Sequence, residues 1–261
     1  PKKLLDFAIK AQRELLSGFG GNPQVEKKKW IEANNPKHVA ISLDGEPTLY
    51  PYLAELIKEI KNRKMTAFLV TNGTFPEKLK ELLEKDAIPT NLYISVYGWN
   101  LEIYKKTCNP FEKGNVYERV LRSLALFKEF EKRNCRTVLR FTCVKGFNFM
   151  TNYPEEKEKY AEIIKFAQPM FVEFKGYTWV GDSKIRLKKE NMPTIEELLE
   201  YARDIEKLTG YKIKLVDEKS RVVLLIRDEE TWKKNIELLI KQDREIGYTE
   251  EETQEVLKLI S

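Results

Sequence analysis

The chain has 261 residues, 42% of them hydrophobic and 33% charged, with a net charge of +5. That apolar content excludes wholesale disorder, and no run approaches the roughly eighteen uncharged apolar residues of a membrane span. The slight basic excess permits a nucleic-acid partner without requiring one.

The opening PKKLLDFAIKAQ scatters charge and has no apolar stretch, which excludes a secretory signal. It begins at Pro1 and not at methionine, so further natural sequence upstream is expected. Leu4, Leu5, Ala8, Ile9, Leu15 and Leu16 form a helical stripe that stops at Ser17-Gly18. A strand is predicted over 38–44, leading into the turn Asp44-Gly45-Glu46-Pro47, and an amphipathic helix over 51–64. Next come a strand over 65–71 ending at Asn72-Gly73, a helix over 76–85 with proline in its first turn, and a strand over 91–97. Helical stretches at 101–107 and 116–132, a strand at 136–144, a helix at 154–167 and a strand at 170–177 continue the pattern. Strands alternating with helices of this length read as right-handed βαβ units around a parallel sheet. After a capping box at Thr194–Glu197, a helix to about Leu208 precedes two more strands, at 211–216 and 221–226. The expected organisation is a barrel domain over 1–226 and a charged helical extension over 227–261, lying as a surface appendage.

A parallel strand covered on both faces is almost wholly apolar, and several of these strands break that rule on one face. Leu92, Ile94 and Val96 alternate with Tyr93, Ser95 and Tyr97. Leu139, Phe141 and Cys143 oppose Val138, Arg140 and Thr142, while Val172 and Phe174 oppose Phe171, Glu173 and Lys175. Helices need the apolar faces, so Ser42, Ser95, Arg140, Glu173 and Lys175 are expected to line a concave interior. A charge there must be paired or liganded, which suits either mutual neutralisation or an anionic ligand at the strand C-termini. The Gly45-Glu46-Pro47 turn could grip a zwitterion through its backbone.

Other residues have plainer readings. His38 is the sole histidine and sits at a strand start, so it is expected to be structural, and no Ser-His-Asp triad is possible without it. Cys108, Cys135 and Cys143 are widely spaced, which fits neither a disulfide framework nor a metal cluster and suits a reducing compartment. Lys184, Arg186, Lys188 and Lys189 follow a strand end, where an RNA backbone could reach them.

The segments ISLDGEPTLYP, FLVTNGTFPEKL, LYISVYG, RTVLRFTCVKGFN and FVEFKGYTWVGDS, in this order and spacing, resemble the tRNA 4-demethylwyosine synthase family. These are radical S-adenosylmethionine (SAM) enzymes of the wybutosine pathway, acting on the 1-methylguanosine next to the anticodon of phenylalanine tRNA. The resemblance covers roughly residues 1–226. It implies an α/β fold, a partial (βα)6 parallel barrel whose first strand and cluster loop are missing from this chain. It also implies SAM, two 4Fe–4S clusters, pyruvate as carbon donor, phenylalanine tRNA and an electron-donor protein as partners, and a cytoplasmic monomer.

Carried over by position, Gly45, Glu46 and Pro47 would contact the SAM amino group, mainly through backbone. Thr71, Asn72 and Ser95 fall where strand ends touch the SAM ribose or carboxylate, with Arg140 toward the carboxylate. Lys145, Glu173 and Lys175 would surround pyruvate or the target base, and Lys184, Arg186, Lys188 and Lys189 would hold tRNA phosphates. Two departures stand out. The Cys-x-x-x-Cys-x-x-Cys motif that would leave one cluster iron open to SAM is absent, so its ligands are expected upstream of Pro1. Tyr97-Gly98 stands where Asp-Ala is expected in many relatives.

The implied reaction is hydrogen abstraction from the guanine N-methyl group, addition to pyruvate, loss of a one-carbon fragment and ring closure. Two other readings compete. One is a cluster-free barrel using a Schiff-base lysine, Lys145 or Lys175. The other is a non-catalytic tRNA-binding protein.

Overall fold

Short runs rich in β-branched and aromatic residues, each followed by an amphipathic helix, build the sheet the alternation predicts. The structure, a computed structural model, describes residues 1–42, 45–110 and 114–260. In chain order the first elements are α1 (Lys2–Leu16), α2 (Lys27–Asn34), β1 (His38–Ile41), α3 (Leu53–Asn62), β2 (Thr66–Thr71), α4 (Pro76–Glu84) and β3 (Asn91–Val96). Then follow α5 (Leu101–Cys108), α6 (Val116–Leu124), α7 (Phe127–Lys132), β4 (Arg136–Cys143), α8 (Glu156–Ala167) and β5 (Phe171–Gly176). The chain closes with α9 (Ile195–Thr209), β6 (Lys212–Asp217), β7 (Val222–Ile226), α10 (Glu229–Glu245) and α11 (Glu250–Ile260).

The seven described strands form one sheet in the order β1-β2-β3-β4-β5-β7-β6, an α/β partial barrel. β1 to β5 are mutually parallel, and the β6–β7 hairpin adds antiparallel to β5. The five parallel strands lie where expected to within a residue at most ends, except that β1 stops at Ile41. Leu43 and Asp44, placed in that strand by the sequence, lie outside the described residues. The helix predicted over 116–132 is two helices, α6 and α7.

The period-two faces hold. Leu92, Ile94, Leu139, Phe141, Val172 and Phe174 are fully buried against the helix layer, with Tyr160 of α8 and Tyr201 of α9 in the same core. Cys143 belongs to that core, and burial pushes its thiol well above the ordinary range. The N-terminal stripe fares differently: Leu5 is buried, while Leu4 and Leu15 are exposed.

The C-terminal segment is not a surface appendage. Trp232 and Leu238 of α10 pack against Val138, Phe171 and Ile226 on the concave side of the sheet. The Arg136 guanidinium donates to Asn235 Oδ1 at 2.7 Å and Gln242 Oε1 at 2.6 Å, so a buried cation at the start of β4 finds its acceptors on α10. The turn after α10 is tied to the start of β1, where Lys37 Nζ donates to the Gly247 carbonyl at 2.7 Å. His38 Nε2 meets the Tyr248 hydroxyl at 3.1 Å and its Nδ1 meets Thr66 Oγ1 at 2.8 Å. His38 thus has a structural place, with its pKa lowered by burial. A cavity of about 180 Å³ remains between α10, Ile260 and the lower concave face around Tyr93 and Arg136.

Gly98 sets how closely α5 can approach β3. A Cβ there would lie 2.5 Å from the Tyr104 amide nitrogen and 2.8 Å from the Ile103 carbonyl carbon. Backbone cannot yield as a side chain can, so Gly98→Ala should lower stability by about 2 kcal/mol. Urea denaturation checks this; an unchanged midpoint would mean that α5 shifts freely.

Candidate functional site

In a parallel sheet all the strand C-termini open on one rim, and the loops leaving them build whatever site exists there. The loop after β1 and the end of β2 are joined through one carboxylate. Glu46 Oε1 accepts from the Thr48 amide at 3.0 Å, from Thr48 Oγ1 at 2.6 Å and from Thr71 Oγ1 at 2.5 Å. Its Oε2 accepts from the Asn72 amide at 2.8 Å. Gly45 adopts φ +73°, a conformation glycine takes without strain, and Pro47 opens a 3₁₀ turn over Pro47–Leu49. The Glu46 side chain is therefore occupied as a brace, and the turn presents main chain.

Asn72 is also committed locally, its Oδ1 accepting from the Thr74 amide at 2.9 Å and Thr74 Oγ1 at 2.7 Å. The next residue, Gly73, has φ +71°, and its carbonyl accepts from Ser123 Oγ at 2.7 Å.

Across β3, β4 and β5 the register aligns Ser95 with Arg140 and Arg140 with Glu173, a polar row on the concave face. Arg140 donates to Glu173 Oε1 at 2.7 Å and Oε2 at 3.4 Å, and its guanidinium sits 4.6 Å from the centroid of the Tyr93 ring. Glu173 is 8% exposed and Arg140 21%, so the pair is sheltered yet reachable from the mouth. Burial, then the Glu173 charge, pushes the Tyr93 phenol up. Ser95 is buried, and burial pushes the nearby Tyr97 phenol up.

Lys175 stands on the same face one level nearer the mouth, beside Thr142, and its ammonium reaches 3.5 Å toward the Ser220 carbonyl. Lys145 is not hydrogen-bonded to this group. It follows β4 and pairs with Glu197 at the start of α9. Lys145 lies past the last residue of β4, in the loop whose main chain is tied to Asn191, so the alternation of the strand no longer directs its side chain.

The basic rim is divided. Arg186 donates to the Lys106 and Thr107 carbonyls at 3.0 and 2.7 Å, so it satisfies the end of α5 and does not stand free for a phosphate. Lys184 lies 4.9 Å from the centroid of the Trp179 ring. Lys188 approaches Glu190 at 3.6 Å, and Lys189 is exposed.

Two residues of the site had no role in the sequence reading. Tyr93, the ring beneath Arg140, shares the parity of Ser95, which was the available signal. Buried Asn148 joins the ends of β3 and β4 by donating to the Tyr97 and Thr142 carbonyls and accepting from the Val144 amide. Nothing in the segment KGFN marks that role.

The polar row and the main-chain turn, with groups of both signs, suit the amino-acid end of a zwitterion such as SAM. An iron–sulfur cluster does not fit. Cys135 and Cys143 are buried, Cys108 donates to the Tyr104 carbonyl, and the described residues contain no group of three His, Cys, Asp or Glu able to hold a metal.

A family profile described as Radical SAM superfamily matches residues 24–167, and one described as Wyosine base formation matches residues 166–227. The S-adenosyl-L-methionine-dependent tRNA 4-demethylwyosine synthase of Pyrococcus horikoshii is 46% identical over 230 residues, 88% of this chain and 65% of that protein. The enzyme of the same description from Methanocaldococcus jannaschii is 38% identical over 226 residues, 86% of this chain and 67% of that one. A structure of TYW1 with a lysine–pyruvate adduct bound superposes with a TM-score of 0.75 at 34% identity, covering 88% of this chain and 70% of that one. The crystal structure of archaeal TYW1 gives 0.70 at 33% identity, covering 88% and 71%. The chain thus spans about two thirds of the length of the relatives it matches.

Proposed function

This chain belongs to the tRNA 4-demethylwyosine synthase family of radical SAM proteins, and on that premise we propose that it forms the substrate-holding barrel of an enzyme that converts 1-methylguanosine in phenylalanine tRNA to 4-demethylwyosine, with pyruvate as the carbon donor. The observation that carries this reading is the Ser95–Arg140–Glu173 row beside the Glu46-braced turn, at the strand ends where such a barrel holds its ligands.

SAM would be held by the main chain of Gly45–Pro47, by Thr71 and Asn72 at the end of β2, and by Ser95 and Arg140. Held there, SAM would supply the radical chemistry of the family. The described residues offer an iron–sulfur cluster no ligands, so two clusters would need thiolates from outside this sequence. What this chain's residues do is bind, orient and shelter. Arg140 and Lys175 give the concave face positive charge for a small carboxylate, and Glu173 holds the Arg140 fork in plane. Pyruvate as that carboxylate is supported by the lysine–pyruvate adduct of the related TYW1 structure. An electron-donor protein is a further partner of the proposed reaction. Among the described residues no helix is long and apolar enough to cross a membrane.

Calorimetric titration tests the reading. The chain should bind SAM and a phenylalanine tRNA carrying 1-methylguanosine, and Arg140→Ala should weaken SAM binding at least roughly tenfold, the order of a lost charged hydrogen bond. No affinity for either ligand would overturn the proposal.

A further inference from the structure

The loop from Tyr177 to Leu187, which leaves β5 at the barrel mouth, is braced from within. Leu187 and Tyr177 are buried at 4% and 8% exposure and form a small core with Val144. The Tyr177 hydroxyl meets Ser183 Oγ at 2.7 Å, and Arg186 anchors the loop across the mouth to the end of α5. A loop held this firmly has ample apolar contacts of its own, yet it keeps other apolar side chains in water. Trp179 is 37% exposed, Val180 58% and Ile185 88%.

The indole of Trp179 is fixed, not loose. Its Nε1 donates to the Leu187 carbonyl at 2.9 Å, which sets the ring plane, and Lys184 lies over the ring. An oriented aromatic ring with a lysine beside it, on a rim that carries Lys184, Lys188 and Lys189 against two acids (Asp182, Glu190) while Arg186 is spent on the end of α5, has the chemistry that stacks an unpaired nucleobase and steadies its backbone. The loop also lies in the stretch matched by the Wyosine base formation profile, residues 166–227, and not in the general radical SAM stretch.

We propose that Trp179, with Val180 and Ile185 at its side, is a stacking platform for an unpaired base of the RNA loop that brings the target guanosine to the barrel mouth. This rests on the tRNA reading above. A base in an anticodon loop is stacked on its neighbours, and a target drawn into a concave site must leave that stack. An aromatic surface at the rim replaces the lost contact for the base left behind, at little cost in sequence selectivity because every base has a π-face.

The test uses an anticodon stem–loop of phenylalanine tRNA carrying 1-methylguanosine, and a fully paired RNA duplex of equal length as control. Trp179→Leu keeps an apolar side chain without a π-face, whereas Trp179→Phe keeps the face and loses only the indole N–H. Binding of the stem–loop by Trp179→Leu should weaken roughly five- to a hundredfold, the range for one stacked base. Its log–log salt slope should not change, since no phosphate contact is lost. Trp179→Phe should stay within about threefold of wild type, and neither variant should alter duplex binding. Part of the tryptophan fluorescence should be quenched by the stem–loop in the wild type and lose that component in both variants. Equal stem–loop affinity in wild type and Trp179→Leu, or an equal loss for the duplex, overturns the platform while leaving tRNA binding intact. A wild-type chain that binds no stem–loop overturns the tRNA reading and the platform with it.

Discussion

Glu173→Ala should destabilise the chain by roughly 3 kcal/mol, the order expected when one partner of a sheltered ion pair is removed. The loss exceeds that of a surface pair because of what remains. Arg140 would keep its charge beside the Tyr93 ring with its main anion gone, and at 21% exposure water reaches only part of it. Exposed pairs in the same chain, such as Lys10 with Glu14, should cost less than about 1 kcal/mol when broken. Glu173→Gln should fall between, since an amide oxygen still accepts from the guanidinium. The double variant Arg140→Met with Glu173→Leu should recover most of the stability, because an apolar pair leaves no charge to desolvate. It should nevertheless lose SAM affinity, which separates the role of the pair in folding from its proposed role in binding. Urea denaturation and SAM titration of the four proteins give both readouts. A Glu173→Ala chain as stable as wild type would mean that solvent already neutralises Arg140.

Much of this site was legible in the chain because a strand has a period of two. Ser95, Arg140 and Glu173 each interrupt an apolar strand on the face opposite the helices, and the structure puts all three on the concave side. That they form a single row was not legible. Parity assigns a face, whereas the stagger between strands depends on how the connecting helices pack. The rule stops at the end of β4, so it gives no side for Lys145, which lies in the next loop and pairs with Glu197.

The role of α10 was hidden for another reason. Its concave-facing side mixes Trp232 and Leu238 with Asn235 and Gln242, and a stripe half polar reads as a solvated helix. The polar members face inward because Arg136, almost a hundred positions earlier, needs acceptors. No local pattern announces a partner that remote. Arg186 is a parallel case: in sequence it belongs to a basic run, but in space it meets the unsatisfied carbonyls at the end of α5. Family resemblance, which covers residues 1–226, gave the right barrel without showing how Arg136 and Arg186 are spent.

Glu46→Ala should cost about 2 kcal/mol in stability and reduce SAM affinity by more than roughly tenfold, an effect on binding exerted through the backbone. The wild-type carboxylate takes four hydrogen bonds, two of them from the main-chain amides of Thr48 and Asn72. Removing it leaves donors at the ends of both β1 and β2 without their acceptor, and frees the Gly45–Pro47 turn to wander from the end of β2. Glu46→Gln is the informative companion. An amide has one acceptor oxygen and presents an NH₂ group where the second oxygen stood, so it would set donor against donor at the Thr48 amide or at the Asn72 amide. Gln should therefore rescue little, although its size and reach are those of the native residue. Thr71→Val removes one of the four bonds to the carboxylate and the acceptor of the Gly73 amide, but leaves Glu46 holding Thr48 and Asn72, so its effect on SAM binding should be several-fold smaller. The ranking Ala and Gln well below Val, followed by SAM titration and by thermal melting, distinguishes a brace from a direct ligand. A direct ligand would lose binding in Glu46→Gln with no drop in melting temperature, and that pattern would reassign Glu46 from holding the turn to touching SAM.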